Sequence, residues 1–385
     1  MLKEKNIPGI ILLVAGAKGA VGSTIAAAVE TIKRQPESIL PFLTTMSLFP
    51  QLIPIDQITY AGWDISCDSL EEAICHHGVL PENIWQPVSN RLGKLNIMPG
   101  GFNELNMRSA VERVSNDIKE VKRMYPGAAP VFINLLPACE RCNLSSYQSL
   151  DELFAGIDPG RFPDIAYILA AISQGVPVVN FTPNAIEVPL INTEAEKNGV
   201  PISGRDGKTG QTYLKTALAS ALKVRNLYVE GWYSLNILGN QDGRNLSDPL
   251  KAKEKISNKT KLLDEILGYQ VGSHFSEPTH FVRIDYYPPR ADNKESWDVI
   301  DISGIFGMQM SIRVNLLARD SILAAPLALD LAIWMVMAQK IGKSGLIPEM
   351  AFYYKRPVGE NPPITFQEQV AKVEQLANTI INKLS

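Results

Sequence analysis

Ile10-Ile11-Leu12-Leu13-Val14-Ala15 runs straight into Gly16-Ala17-Lys18-Gly19-Ala20-Val21-Gly22-Ser23. An unbroken apolar run of this length predicts a strand buried on both faces, as in a parallel sheet. The glycines then predict a tight turn that opens a helix from about Ser23 to Lys33. Glycines at such a turn let the backbone approach a pyrophosphate, and the helix start supplies N–H donors and partial positive charge. Gly16, Lys18, Gly19, Ala20, Val21 and Gly22 are therefore candidate cofactor-binding residues. Gly22 is followed by Ser23 with no lysine between them, so the loop is not a P-loop, and it is not the strict G-x-G-x-x-G pattern either. An ordinary tight turn is the competing reading. The acidic partner of a ribose usually stands ~20 residues further on, at the end of the next strand. Here the candidate is Asp64 in Gly62-Trp63-Asp64-Ile65, further away, with a Pro-rich insertion between; a turn or capping aspartate competes with it.

Outward from that turn, Ile55 to Tyr60 reads as the next strand and Glu104 to Arg123 as a long amphipathic helix ending before Pro126-Gly127. Val131 to Leu136 and Pro177 to Phe181 read as further apolar strands, separated by the helical Ile165 to Gln174. Strands alternating with helices predict an α/β fold with a Rossmann-like, doubly wound parallel sheet. Asn134 and Asn180 fall at carboxyl ends of strands, where such sheets bind ligands; turn capping is the plainer reading of both. After about Thr209 the texture changes. Within Ser273 to Tyr287, Val282, Ile284 and Tyr286 alternate with Arg283 and Asp285, as in a half-buried strand. Pro288-Pro289 ends it, and Gly304 to Val314 reads as another strand pair. These features predict a second, α+β domain. From Ser321 an apolar helix returns.

The chain has 385 residues, 45% of them hydrophobic, and a formal net charge of −3. That suits a globular protein with a substantial core. It argues against nucleic acid as a partner, because no general basic field exists to hold a polyanion. Cys67, Cys75, Cys139 and Cys142 are too few to staple the chain, which fits a reduced, cytoplasmic setting. Cys139-Glu-Arg-Cys142 has metal or redox spacing but lacks a second pair, so inert thiols are expected and no metal is assigned. The apolar start is cut short by Pro8 and Gly9, unlike a signal peptide. Ser321 to Ala338 is strongly apolar but contains Pro326 and Asp330, which favours a buried helix over a membrane span.

Chemistry concentrates in Gly204-Arg205-Asp206-Gly207-Lys208-Thr209-Gly210-Gln211-Thr212, ahead of a helical run from Tyr213 to Lys223. Backbone N–H groups at a helix start, with lysine and threonine beside them, suit a phosphorylated ligand; a polar capping loop is the alternative. A second glycine-and-amide loop follows in Asn236-Ile237-Leu238-Gly239-Asn240-Gln241-Asp242-Gly243. Of the lysines at 251 to 261, Lys255 and Lys259 share one helical stripe with Leu262 and Ile266 and are four apart. They either snorkel or face a pocket. Lys294 follows a strand in a presumed loop, and Lys355 precedes Arg356-Pro357 at another edge. Asp206, Asp242 and Asp320 suit acids or, equally, turn and cap residues.

These motifs resemble those of the inositol-phosphate synthase family. The likeness includes the Lys-Thr-Gly-Gln-Thr run, Asn-x-Leu-Gly-Asn-x-Asp-Gly, Pro288-Pro289-x-x-Asp292-Asn293-Lys294-x-x-Trp297-Asp298 and Asp320-Ser321-Ile322-Leu323-Ala324-Ala325-Pro326-Leu327. It extends from the first glycine loop to about Lys355. Arg205 stands where the family often has a second acid, and Thr209 where it often has serine.

The resemblance implies a discontinuous NAD-binding domain over 1–208 and 324–385, and a catalytic and oligomerisation domain over 209–323. It implies NAD as cofactor, with Asp64, Asn134, Asn180, Thr182 and Asp320 joining the glycine loop at its site. It implies a sugar phosphate held by Thr209, Gly210, Gln211, Asn236, Leu238, Gly239, Asn240 and Asp242. Lys255, Lys259, Lys294 and Lys355, with Asp206 and Asp320, would be catalytic, the four lysines meeting around one sugar phosphate. The implied reaction converts glucose 6-phosphate to myo-inositol phosphate: oxidation at C5, enolisation, intramolecular aldol closure and re-reduction, without net redox. A homotetramer with no membrane association is implied as well. A cyclase acting on another sugar phosphate, a dehydrogenase that releases NADH and a non-enzymatic sensor are the competing classes.

Overall fold

A computed structural model describes residues 9–49, 52, 55–103, 105–139, 142–239 and 262–384. The chain divides into two compact units, one of 1–207, 324–362 and 372–385, the other of 208–323 and 363–371.

The first unit is a seven-stranded parallel sheet. Its strands are β1 (Ile10–Ala15), β2 (Ile58–Asp64), β3 (Asn96–Pro99), β4 (Ala129–Asn134), β5 (Val178–Asn180), β6 (Pro201–Gly204) and a short edge strand, Gly345–Leu346. The order runs from β3 through β2, β1, β4, β5 and β6 to that edge. This is the 3-2-1-4-5-6 arrangement of a Rossmann-type doubly wound sheet, whose switch point lies between β1 and β4. The apolar run of β1 is explained by its two neighbours and two faces. Ile10, Leu12 and Val14 join one core with helix α1 (Ala20–Ile32), while Ile11, Leu13 and Ala15 join the other with α2 (Met107–Met124) and α3 (Pro163–Ser173). All six are fully buried.

Several boundaries differ from expectation, and two are instructive. Residues 55–57 form a single 3-10 turn, and β2 starts at Ile58, opposite Ile10, because pairing with β1 sets its register. Helix α1 begins at Ala20 rather than Ser23, so Ala20, Val21 and Gly22 form its first turn.

The second unit carries helix α4 (Gln211–Val224) and a four-stranded mixed sheet. The strands are β7 (Tyr228–Leu238), β8 (His280–Tyr286), β9 (Asn293–Ser303) and β10 (Gln309–Arg319). Strand β7 pairs parallel to β8 and antiparallel to β9, and β9 pairs antiparallel to β10. The expected strand pair at Gly304–Val314 is thereby corrected: 305–307 is the turn of a longer hairpin. Lys294 lies within β9, not in a loop. Glycine and proline marked the turns rightly, but the hairpin's alternating arms extend well beyond them. Ala219 and Leu222 of α4 pack with Trp232, Ile300 and Ile302 on one face of this sheet. On the other face Tyr233, Phe281 and Trp297 are 44%, 56% and 50% exposed.

Helix α5 (Asp320–Lys340) is the only helix among the described residues long and apolar enough to cross a membrane, and 78% of its most apolar stretch is buried inside the fold. Its Asp330 is buried and accepts four hydrogen bonds from the backbone N–H and hydroxyl groups of Thr44 and Thr45, at 2.6–3.0 Å. A buried carboxylate satisfied in this way belongs to a core helix.

Candidate active site

In the first unit, the turn after β1 delivers a helix start with neither a side-chain cap nor an acidic residue in its first turn. Those N–H groups are the unsatisfied donors that suit an anion. Gly22 is required by close approach: a Cβ there would sit 2.4 Å from the Gly16 carbonyl oxygen. The Tyr60 hydroxyl lies 2.9 Å from Ala17 O and 3.0 Å from Gly22 O and donates to this pair. Asp64 ends β2, and its carboxylate accepts from the backbone N–H groups of Lys18 at 2.7 Å and Ser66 at 2.9 Å. The Lys18 ammonium turns to the Ser66 carbonyl at 2.7 Å. Gly16, Lys18, Gly19, Ala20, Val21, Gly22 and Asp64 thus form one cluster at the carboxyl ends of β1 and β2.

Asn134 and Asn180 end the neighbouring strands β4 and β5 and are both buried. Asn134 donates to the Asn180 side-chain oxygen at 3.2 Å, and the Thr182 hydroxyl donates to the same oxygen at 3.1 Å. The chain beyond β6 is stitched to this corner. Asp206 N donates to Thr182 O at 2.8 Å, and Lys355 N donates to Asp206 O at 2.7 Å. The Lys355 ammonium then pairs with the Asp206 carboxylate at 2.7 Å. Arg205 is tied to Glu187 at 2.7 Å and to the Pro183 carbonyl at 3.2 Å.

In the second unit, Gly210 caps α4 by backbone alone, and the first turn again holds no acid. Asp320 is the hub beside it. One carboxylate oxygen accepts from the Thr209 hydroxyl at 3.0 Å; the other accepts from the Lys294 ammonium at 3.1 Å. The sheet register places Leu238 opposite Lys294 and Asn236 opposite Ser296. Gly239 follows so tightly that a Cβ would meet Ala291 N at 2.3 Å. Asn236 and Ser296 are almost fully buried, and among the described residues neither the Asn236 amide nor the Ser296 hydroxyl finds a hydrogen-bond partner. Buried orphans of this kind are rare in native folds and mark sites that take up polar ligands or waters.

Lys255, Lys259, Asn240 and Asp242 lie outside the described residues. Of the remaining lysines, Lys294 belongs to the second unit and Lys355 to the first. Sequence reasoning missed Gln369, which accepts from Lys208 at 2.7 Å, and the partnership of Gln211 with Asp298, at 3.0 and 3.2 Å. No local pattern marks Gln369, which is 161 positions from Lys208. Cys139 and Cys142 carry free thiols. Burial, reinforced by Asp164, pushes the Cys139 thiol up to about 11 and raises Cys142 as well. That makes both poor nucleophiles. Among the described residues no group of three or more His, Cys, Asp and Glu could hold a metal ion.

Residues 210–321, nearly the whole continuous stretch of the second unit, match the family model described as myo-inositol-1-phosphate synthase. Inositol-3-phosphate synthase 1 of Bacteroides thetaiotaomicron is 34% identical, the match covering 90% of this chain and 89% of that protein. The chain belongs to the inositol-phosphate synthase family. It is an enzyme of that family. Inositol-3-phosphate synthase 1 of rice (Oryza sativa subsp. japonica) is 29% identical over 77% of the chain, which spans 62% of the length of that relative. Among solved structures, inositol-3-phosphate synthase from Caenorhabditis elegans superposes with a TM-score of 0.82 at 22% identity, covering 97% of this chain and 86% of that one. A myo-inositol-1-phosphate synthase-related protein from Thermotoga maritima superposes at 0.76 and 21% identity, covering 97% and 98%. At these identities the two structures speak for the family fold, and the sequence relationship speaks for membership.

Proposed function

We propose that this enzyme converts glucose 6-phosphate to a myo-inositol phosphate, using NAD as a resident cofactor. The single observation that carries the reading is the Asp320 carboxylate, which joins the Thr209 hydroxyl at a bare helix start to the Lys294 ammonium. An anion turn and a fixed cation sharing one carboxylate form the arrangement that a sugar phosphate with developing negative charge requires.

The first unit fits a dinucleotide. The uncapped start of α1 offers N–H donors to a pyrophosphate, and Gly22 leaves room for the turn to fold tightly under it. Asp64 would accept from a ribose hydroxyl, and the Asn134, Asn180 and Thr182 network at the ends of β4 and β5 would orient the carboxamide end. When bound, NAD⁺ would supply hydride abstraction and return at C5, which leaves no net redox.

The chain's own residues would do the rest. Backbone N–H groups of Thr209, Gly210 and Gln211 would hold the phosphate, with Leu238 and Gly239 alongside. Asn236 and Ser296 would satisfy sugar hydroxyls. Lys294 and Lys355, each held by a carboxylate, would present positive charge to enolate and alkoxide oxygens. Lys255 is assigned as the base at the C5 hydroxyl and Lys259 as its partner, on their adjacent spacing in the sequence. Holding the open chain curled puts a large share of the barrier reduction into positioning. The exposed aromatic face around Tyr233, Phe281 and Trp297 supports assembly into a homotetramer, and the free thiols support a reducing, cytoplasmic setting.

Asp320→Asn tests the reading. It should lose most turnover of glucose 6-phosphate, because the substitution removes the charge that holds Lys294. Turnover within threefold of wild type would defeat it.

A further inference from the structure

The turn assigned above to phosphate presents only backbone, so something else must fix its shape. Its flanking side chains are built for that. Lys208, immediately before Thr209, is 3% exposed, and its ammonium donates to the Gln369 side-chain oxygen at 2.7 Å. Gln369 is equally buried, and its amide nitrogen donates to the carbonyls of Pro363 and Ile364, each at 3.2 Å. The same segment is tied to α4, because Phe366 N donates to the Ser220 hydroxyl at 2.9 Å. Lys208 is thereby joined to a piece of chain that arrives from the far end of the sequence.

The other end of the turn is held independently. Gln211 is 2% exposed, and its amide nitrogen donates to both oxygens of the buried Asp298 at 3.0 and 3.2 Å. Asp298 also accepts from the Trp232 indole at 2.8 Å and the Ser234 hydroxyl at 2.5 Å. Lys215, the next turn along α4, is buried close enough to act on Asp298, and its ammonium lies 2.7 Å from His280 Nε2.

We propose that Lys208 with Gln369, and Gln211 with Asp298, are positioning residues: two buried anchors that fix the Thr209–Gln211 turn and so set the affinity of this enzyme for the phosphate of its substrate. The proposal rests on the phosphate reading of that turn. A lysine in a glycine-containing anion loop would ordinarily be taken for a phosphate ligand. Here it is buried with its ammonium on a glutamine, and the Gln211 side chain is likewise turned inward, to Asp298. A buried charge-assisted hydrogen bond contributes more than a neutral one and loses its geometry when either partner is removed. Burial pushes the Lys208 ammonium down to about 7, consistent with an amine held away from water.

The enzyme, saturated with NAD⁺, tests this through two constants: KM for glucose 6-phosphate and the competitive inhibition constant of inorganic phosphate. Lys208→Met matches the side chain in length and buries no charge, so it is expected to fold. Gln369→Leu removes the acceptor and keeps Lys208. Both variants should weaken the two constants together by about tenfold. Gln369→Glu keeps the acceptor for Lys208 but loses the donor to Pro363 and Ile364, so both constants should lie between those of Gln369→Leu and wild type. Anchors that serve only stability would lower the melting temperature and leave both constants unchanged, and that result in Lys208→Met overturns the proposal. Competition by phosphate in the wild type, with unchanged variants, overturns the anchors alone. Absence of competition in the wild type overturns the phosphate reading and the proposal with it.

Discussion

Gly22→Ala is the sharpest small perturbation of the turn proposed to hold the cofactor. The added methyl would lie 2.4 Å from Gly16 O, 2.8 Å from Ala17 O and 2.9 Å from the Ala17 carbonyl carbon. All three are backbone atoms, so no side chain can swing aside, and the turn itself must move by about half an ångström or more. Overpacking of this kind costs about 1–3 kcal/mol. In the free enzyme the turn relaxes away from the methyl, and binding drives it back, so the cost falls on affinity. At about 1.4 kcal/mol per factor of ten, the NAD dissociation constant should rise by roughly 5- to 150-fold. Calorimetric titration with NAD⁺ measures it. Tyr60→Phe is the companion variant: it removes the hydroxyl that donates to Ala17 O and Gly22 O. Without adding an atom it should cost about 1 kcal/mol of stability. A folded Gly22→Ala protein that binds NAD⁺ within twofold of wild type would refute the reasoning.

Lys208 is held near 7 in the fold by burial, well below the ordinary lysine value of 10.5, so between about pH 7 and 10.5 the unfolded chain binds more protons at this site. The stability of the wild type relative to Lys208→Met should therefore rise with pH across that window, and thermal unfolding at pH 7 and pH 9.5 reads the change; an unvarying difference would count against the buried amine. Cys139, pushed up to about 11, should alkylate with iodoacetamide at pH 8 far more slowly than the exposed Cys67 and Cys75, as peptide mass mapping over time will show. Replacing the exposed Phe281 by lysine should disperse the proposed tetramer in sedimentation velocity, and an unchanged sedimentation coefficient would free that face from the role.

The first unit was largely legible because its signals are local. The apolar run of β1 reads as a strand covered on both sides, and the glycines mark a turn that must fold tightly. By pattern Ala20, Val21 and Gly22 read as part of the turn, whereas helical hydrogen bonding begins as soon as Gly19 can serve as cap. By local pattern Lys294 reads as a loop residue, because Pro288-Pro289 ends one strand nearby. Pairing opposite Leu238 instead recruits it into β9, and such pairing is a tertiary fact that a local pattern does not carry. The ion pair of Asp206 with Lys355 and the bond from Lys208 to Gln369 join residues 149 and 161 positions apart. Nothing in residue spacing reports such partners; only the folded backbone brings them within reach. Lysines, hydroxyls and glycines around a helix start suggest a phosphate site from sequence alone, but which side chains turn inward is not legible there. Lys208 and Gln211 read as ligands in the sequence, whereas in the fold their side chains are buried against Gln369 and Asp298, the basis for proposing them as anchors.

The most direct measurement incubates the purified enzyme with NAD⁺ and glucose 6-phosphate, follows the absorbance of reduced nicotinamide and identifies the ester formed. The account predicts an inositol phosphate accumulating over many turnovers, with no matching gain of reduced cofactor. Reduced nicotinamide rising in step with sugar consumed, or an oxidised open-chain sugar phosphate as the product, would contradict it.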